Sequence, residues 1–188
     1  MPRQVVPLTS DIIFSVYDNW LGLAYSADRA RSSTLVDTGV RASELCGLKF
    51  EDLEGEYLRV MGKGRKERRV PVSAPVMAAI MEYIQTRPPG KRNAPVFLSE
   101  TGAQLNRDSL RLLINRLAER ANVNNAHPHK FRHTFAINYV MNGGDAYSLQ
   151  MILGHSTMDM VKRYLYLTNK DIAAVHGRAS PLKNWGLD

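Results

Sequence analysis

Cysteine is nearly missing from this chain. Its single thiol, Cys46, excludes an internal disulfide and fits a reducing compartment. Long apolar runs are missing too, since nothing approaches the roughly 18 residues that a membrane span needs. The opening MPRQVVPLTSDII has no charged-then-apolar secretory pattern. There is no internal repeat and no low-complexity tract, which excludes solenoids and fibrous arrays. What is present is ordinary globular material: 44% hydrophobic and 23% charged residues over 188 positions. That length suits one domain with a real core and no need of a disulfide or metal staple.

Acidic residues are scarce where basic ones are dense. The net charge is +7, from 25 Lys and Arg against 18 Asp and Glu. Residues 1–58 carry 5 basic and 9 acidic side chains, whereas residues 59–132 carry 15 and 5. The middle third therefore reads as a surface for a polyanion. A solvated Lys/Arg face would look the same, so charge alone decides nothing.

The chain divides into an arm or linker remnant at 1–8, a body at 9–170 and a tail at 171–188. Thr9-Ser10-Asp11 is an N-cap cluster before an apolar segment. A helix is expected from about Asp28 to Thr38, with Gly39 as its left-handed terminator and a short helix over Ala42–Cys46 after it. Alternation through YLRVM and RRVPV, around Gly62-Lys63-Gly64-Arg65-Lys66, predicts a β-hairpin with a basic turn. Ser73 and Pro75 open the next helix, and APVFLSE is a strand candidate. Asn106 caps an amphipathic helix with Leu110, Leu113, Ile114 and Leu117 on one stripe. Further helices are expected from near Lys130 to Gly143, from Asp145 to Gly154, and from a Ser156/Asp159 capping box onward. The expected fold class is α+β, mainly helical with a small antiparallel sheet.

Five groups carry chemistry. His129 and His133 have the four-residue spacing of a helical zinc pair, but Lys130 stands where a metalloprotease needs Glu, so a metal site is rejected. His129 and Arg132, three apart, share a helix face. Arg41 precedes Glu44 at a helix boundary, which taken alone is a short-range ion pair. His155 follows Gly154 at a helix entry, and Tyr164 lies nine residues further on. Each alone is unremarkable. Together with Lys63 of the basic turn they suit one task, the attack of a hydroxyl on a phosphodiester: two guanidiniums for the non-bridging oxygens, imidazoles and an amine for protons, and a phenol as nucleophile.

At this point the sequence resembles the tyrosine recombinase, or phage integrase, family from about Leu8 to Leu167. DTGVRASELCGL resembles the first arginine box, MGKGRKERRVPV the catalytic hairpin, HPHKFRHTFA the H-x-x-R box and LGHSTMDMVKRY the final box. The resemblance implies the helical catalytic-domain fold of that family and catalysis by Arg41, Lys63, His129, Arg132, His155 and Tyr164, with Glu44 supporting Arg41. Tyr164 would form a 3′-phosphotyrosine, Lys63 would protonate the leaving 5′-oxygen, and Tyr166 is the weaker competitor for the nucleophile. No cofactor and no metal are implied. Arg65, Lys66, Arg68 and Arg69 are expected on the DNA backbone, and Arg107, Arg111 and Arg116 near a groove. Double-stranded DNA is the implied partner, with self-association as dimer or tetramer on it and DNA-bending accessory proteins, in the cytoplasm with the nucleoid. A type IB-like topoisomerase and a catalytically silent DNA-binding module are the alternatives.

Two features depart from the pattern. Members usually carry a helical core-binding domain ahead of the catalytic one. PRQVVPLTS therefore reads as the linker of a catalytic-domain fragment, with a naturally short member as the alternative. DRARSSTLVDTG is also less apolar than the corresponding family helix, which predicts weaker packing there. In the tail, Ile172, Val175 and Trp185 are expected to dock on a neighbouring protomer or to fold back on their own domain.

Overall fold

The computed structural model describes residues 26–62, 64, 66–167 and 176. Lys63, Arg65, the 1–8 arm, the first expected helix and the tail residues Ile172, Val175 and Trp185 lie outside the described residues.

Seven helices and one sheet make up the described fold. The helices are α1 (Ser26–Thr38), α2 (Ala42–Gly47), α3 (Ala74–Gln85), α4 (Arg107–Arg120), α5 (Pro128–Met141), α6 (Ala146–Leu153) and α7 (Asp159–Leu167). The sheet is antiparallel in the order β1 (Leu53–Glu54), β2 (Tyr57–Met61), β3 (Glu67–Pro71). The expected hairpin is β2–β3, with Leu58 opposite Val70 and Val60 opposite Arg68. Period-two alternation puts Leu58, Val60 and Val70 inside. The short β1 completes the sheet.

α1 packs on α3 and α5. Its polar sequence did not keep it at the surface: Ser32, Ser33, Thr34 and Thr38 are all buried. Each hydroxyl donates to the carbonyl four residues back, at 2.6 Å in every case, so the helix satisfies its own polar groups. The low apolar content expected to weaken this helix's packing leaves it buried all the same.

Local signals set most of the boundaries. Asn106 Oδ1 accepts from the Ser109 amide at 2.8 Å and opens α4. Asp145 Oδ1 accepts from the Tyr147 and Ser148 amides and opens α6, which stops at Gly154 with φ +62°. α5 begins at Pro128 rather than near Lys130, because His127 is the N-cap and its Nδ1 accepts from the Lys130 amide. α7 begins at Asp159, three residues after Ser156. The APVFLSE segment, residues 94–100, is not a strand. It forms single bridges, Lys49 with Pro95 and Leu98 with Gln104, because neither partner runs alongside it for longer and Pro95 has no amide proton.

The buried side chains form two clusters. The larger joins α1–α4, the first turn of α5 and the sheet around Leu35, Leu45, Leu58, Phe97, Leu110 and Phe131. The smaller joins α5, α6 and α7 around Ala136, Val140, Leu149, Leu153 and Val161. Among the described residues no helix is long and apolar enough to cross a membrane.

Candidate active site

The site is organised around the end of α6. The last carbonyls of a helix have no partner within it and carry the negative end of its dipole. Here three successive carbonyls meet three arginines from three different elements. Ile152 O accepts from Arg68 Nε at 2.7 Å, Leu153 O from Arg132 Nη2 at 2.6 Å and Gly154 O, more loosely, from Arg41 Nη2 at 3.5 Å. Arg132 also donates from Nη1 to Gly39 O at 2.7 Å. The Gly39 turn after α1 and the Gly154 turn after α6 thus hold one guanidinium between them. Arg41 and Arg132 stand 91 positions apart in sequence yet act on adjacent carbonyls, so they converge as expected.

Glu44 counters this positive charge. Its side chain is buried, and Arg68 grips it with both Nη atoms at 2.8 and 2.9 Å. Arg41 Nη1 reaches the same carboxylate at 2.8 Å, and the Arg41 amide donates to its other oxygen at 2.8 Å. Burial alone would raise the Glu44 carboxyl, but the hydrogen bonds from Arg68 and Arg41 outweigh it and hold the pKa down at about 2. Glu44 thus binds Arg41 and ties it to Arg68 as well. Burial, followed by the charge of Arg41, lowers the Arg132 guanidinium to about 10 and leaves it a cation at neutral pH.

Tyr164 is only 4% exposed. Its ring stacks near that of His155, with centroids 6.4 Å apart, and contacts His133 at 5.5 Å. His133 Nε2 and His129 Nε2 share a hydrogen bond of 2.9 Å, so one ring donates and the other accepts. Burial first, then His129 and Arg163, lowers the His133 pKa to about 4. Burial first, then Arg132, Arg41 and Arg68, does the same to His155. At neutral pH both are neutral imidazoles able to give or take a single proton. His155 Nδ1 is buried and makes no hydrogen bond. Burial raises the Tyr164 phenol above its ordinary value, while Arg132 and Arg163 pull it back. Tyr166, by contrast, is 81% exposed.

A cleft of about 630 Å³ opens on the array and is lined by Arg41, His127, His129, Arg132, Arg107 and Arg111, among others. His155 is not among its lining residues and joins the site through Tyr164 and the α6 end. Arg107 and Arg111 thus stand at the cleft from the first turns of α4, whereas Arg116, at the other end, pairs with Glu100. Of the four hairpin residues expected on the DNA backbone, Arg65 lies outside the described residues and Lys66 is exposed. Arg69 is exposed over the Tyr57 ring at 4.3 Å and pairs with Glu54. Arg68 departs from the expectation, because its guanidinium is turned inward on Glu44 and Ile152. Strand alternation held the signal: two positions before buried Val70 and opposite Val60, Arg68 falls on the inner face. Sequence reasoning also left His133 outside the site, although it touches both His129 and Tyr164.

Fixed cations around an open cleft, two neutral imidazoles and a phenol suit stabilisation of a pentavalent phosphorus centre during attack by the phenolic oxygen. The profile of the phage integrase family matches residues 13–171. A tyrosine recombinase XerC of Pelobacter propionicus is 38% identical over 157 residues, covering 82% of this chain and 52% of the relative. The chain thus spans about half the length of the curated relatives it matches. The crystal structure of XerA recombinase superposes with a TM-score of 0.79 at 26% identity, covering 96% of this chain and 67% of that one. The catalytic domain of bacteriophage HP1 integrase superposes at 0.68 with 23% identity, covering 96% and 98%, a likeness of fold.

Proposed function

Since the chain belongs to the phage integrase family, we propose that it cuts and rejoins duplex DNA at specific sites through a 3′-phosphotyrosine on Tyr164. The observation that carries the proposal is the convergence of Arg41, Arg132 and the His155 turn on one helix end, with Tyr164 buried against His155.

In this reading the Tyr164 Oη–phosphorus bond forms as the bond from phosphorus to the 5′-oxygen breaks. Arg41 and Arg132 hold the non-bridging oxygens, and His155 donates a hydrogen bond to the same phosphate. The phenolic proton leaves towards His129, the proton acceptor or orienting group, with His133 between that ring and Tyr164. Lys63 protonates the departing 5′-oxygen. The 5′-hydroxyl of a second strand then attacks the phosphorus and loses its proton, the Tyr164 Oη–phosphorus bond breaks and the phenol takes a proton back, so one phosphodiester replaces another. Lys66 and Arg69, with Arg65, contact the DNA backbone. Exchange between two duplexes requires more than one protomer, so self-association on DNA belongs to the proposal. So do DNA-bending accessory proteins and work on the nucleoid in the cytoplasm. No step calls for a metal or an organic cofactor.

The test begins with duplexes that the protein selects from a random-sequence pool. The selected duplex is nicked beside the scissile phosphate so that the released fragment diffuses away. A detergent-resistant adduct is expected with the native chain and with Tyr166→Phe, and none with Tyr164→Phe. An adduct that survives Tyr164→Phe overturns the assignment, and tight binding with no adduct identifies a silent module. With supercoiled plasmid, inversion or excision that requires two sites marks a recombinase, whereas relaxation alone marks a topoisomerase. Lys63→Ala is expected to lose the adduct and to regain it on DNA with sulfur at the scissile 5′-bridging position. A thiolate leaves without an acid's help.

A further inference from the structure

We propose that Arg68 is a positioning residue that sets Arg41 and the His155 turn relative to one another, and that it contacts no DNA. The inference rests on the reading of the site given above. All three donor groups of its guanidinium end are engaged inside the protein. Nη1 and Nη2 hold the two oxygens of Glu44, and Nε holds Ile152 O. Only 13% of its side chain is exposed.

The two things it holds are the two that must stay in register. Glu44 fixes Arg41 through both the guanidinium and the backbone amide. Ile152 O belongs to the last turn of α6, where Leu153 O holds Arg132 and Gly154 leads into His155. Arg68 also fills the space beside Gly154: a Cβ there would lie 3.1 Å from its Cδ, Nε and Cζ. A side chain at 154 would be strained in this left-handed turn and would press on the Arg68 guanidinium. The same turn sends the His155 amide back to Gln150 O at 3.1 Å. Arg68 therefore braces the first arginine from one side and the last histidine from the other.

The brace has a geometric requirement that lysine cannot meet. A planar fork can grip a carboxylate with two nitrogens and a carbonyl with the third, whereas an ammonium serves as a point charge. Removing the fork also leaves the buried carboxylate to Arg41 alone. Arg41 would then be drawn onto Glu44 and away from a phosphate.

The experiment uses the selected duplexes described above with the full chain and its Arg68→Lys, Arg68→Met and Arg68→Met/Glu44→Gln variants. Single-turnover adduct formation is expected to fall about 100-fold in Arg68→Met and less in Arg68→Lys. It should recover partly in the double variant, where no unpaired carboxylate competes for Arg41. Arg68 itself gives up no phosphate contact, so DNA affinity and its salt dependence should change by no more than the single Arg41 contact, and any such change should come with the slower cleavage. A 5′-bridging sulfur should not rescue the defect, which separates the brace from a shift of the neighbouring Lys63. Amide exchange at Gly154 and His155 should quicken, a readout independent of cleavage and still available in Arg68→Lys if the Met variant fails to fold. A salt slope shallower by about one unit with an unchanged cleavage rate would make Arg68 a DNA contact and overturn the proposal. Full rescue by sulfur would overturn it too. No adduct from the native chain would overturn the underlying reading and this inference with it.

Discussion

Tyr164 poses the sharpest chemical problem at the scale of a single residue. Its burial makes the phenolate harder to form, although the phenolate is the better nucleophile. Two cations oppose that penalty. One is Arg132, fixed between Gly39 O and Leu153 O, and the other is Arg163, the residue before the tyrosine. Arg163 is exposed and lines no part of the cleft, so its contribution is purely electrostatic and partly screened. Arg163→Ala is expected to slow single-turnover cleavage several-fold near pH 7. The deficit should shrink as pH rises and the phenol ionises unaided, so the rate–pH profile is the measurement. A deficit equal at all pH values would mean that Arg163 acts on binding instead. The exposed Tyr166 is not buried in this way.

At the scale of the element, the turns carry more of the site than the helices do. Gly39 sits at φ +61°, and a Cβ there would lie 2.4 Å from Phe135 Cδ1. Its carbonyl holds Arg132. Gly39→Ala should therefore cost at least about 1 kcal/mol of stability for the left-handed conformation alone, and more for the displaced ring. Cleavage should fall further than stability does, because Arg132 loses a fixed partner. Chemical denaturation and the adduct assay on the same preparation check both halves. These turns were legible because glycine after a helical pattern has a single physical meaning, and the Asn106 and Asp145 caps were legible for the same kind of reason. His127 was not read as a cap, since an imidazole acceptor is an uncommon one, and α5 was accordingly begun too late. The strand expected at 94–100 failed because an apolar run states that a segment is buried and does not state whether a partner lies alongside. Arg68 shows the same limit at the site. Its inward face follows from strand alternation, but its attachment to Glu44 and Ile152 joins three elements that no local pattern relates.

At the scale of the whole molecule, the site lies on the seam between the two hydrophobic clusters, stitched there by charge. Arg132 follows Phe131 of the larger cluster and is bonded to Leu153 of the smaller, while Arg68 runs from Glu44, beside Leu45, to the α6 end. A charged seam makes the fold sensitive to pH. His133 and His155 have pKa values of about 4 in the fold against an ordinary 6.5. Between those limits the unfolded chain binds more protons than the folded one, so acidification favours unfolding. Stability should hold above about pH 7, fall as pH drops through 6.5 towards 4, and level off for these two groups below that. Glu44, ordinarily near 4.5 and here about 2, adds a second loss of the same sign at still lower pH as its carboxylate is protonated away from Arg68 and Arg41. Allowing for partial solvent screening of His155, the two imidazoles should lower stability by on the order of 2 kcal/mol between pH 7.5 and pH 5. Denaturant unfolding at the two pH values measures this, and His133→Gln should flatten the slope. A curve that stays level from pH 7.5 to 5 would show that one or both imidazoles take up protons without leaving their places, and the seam would then be softer than its geometry indicates.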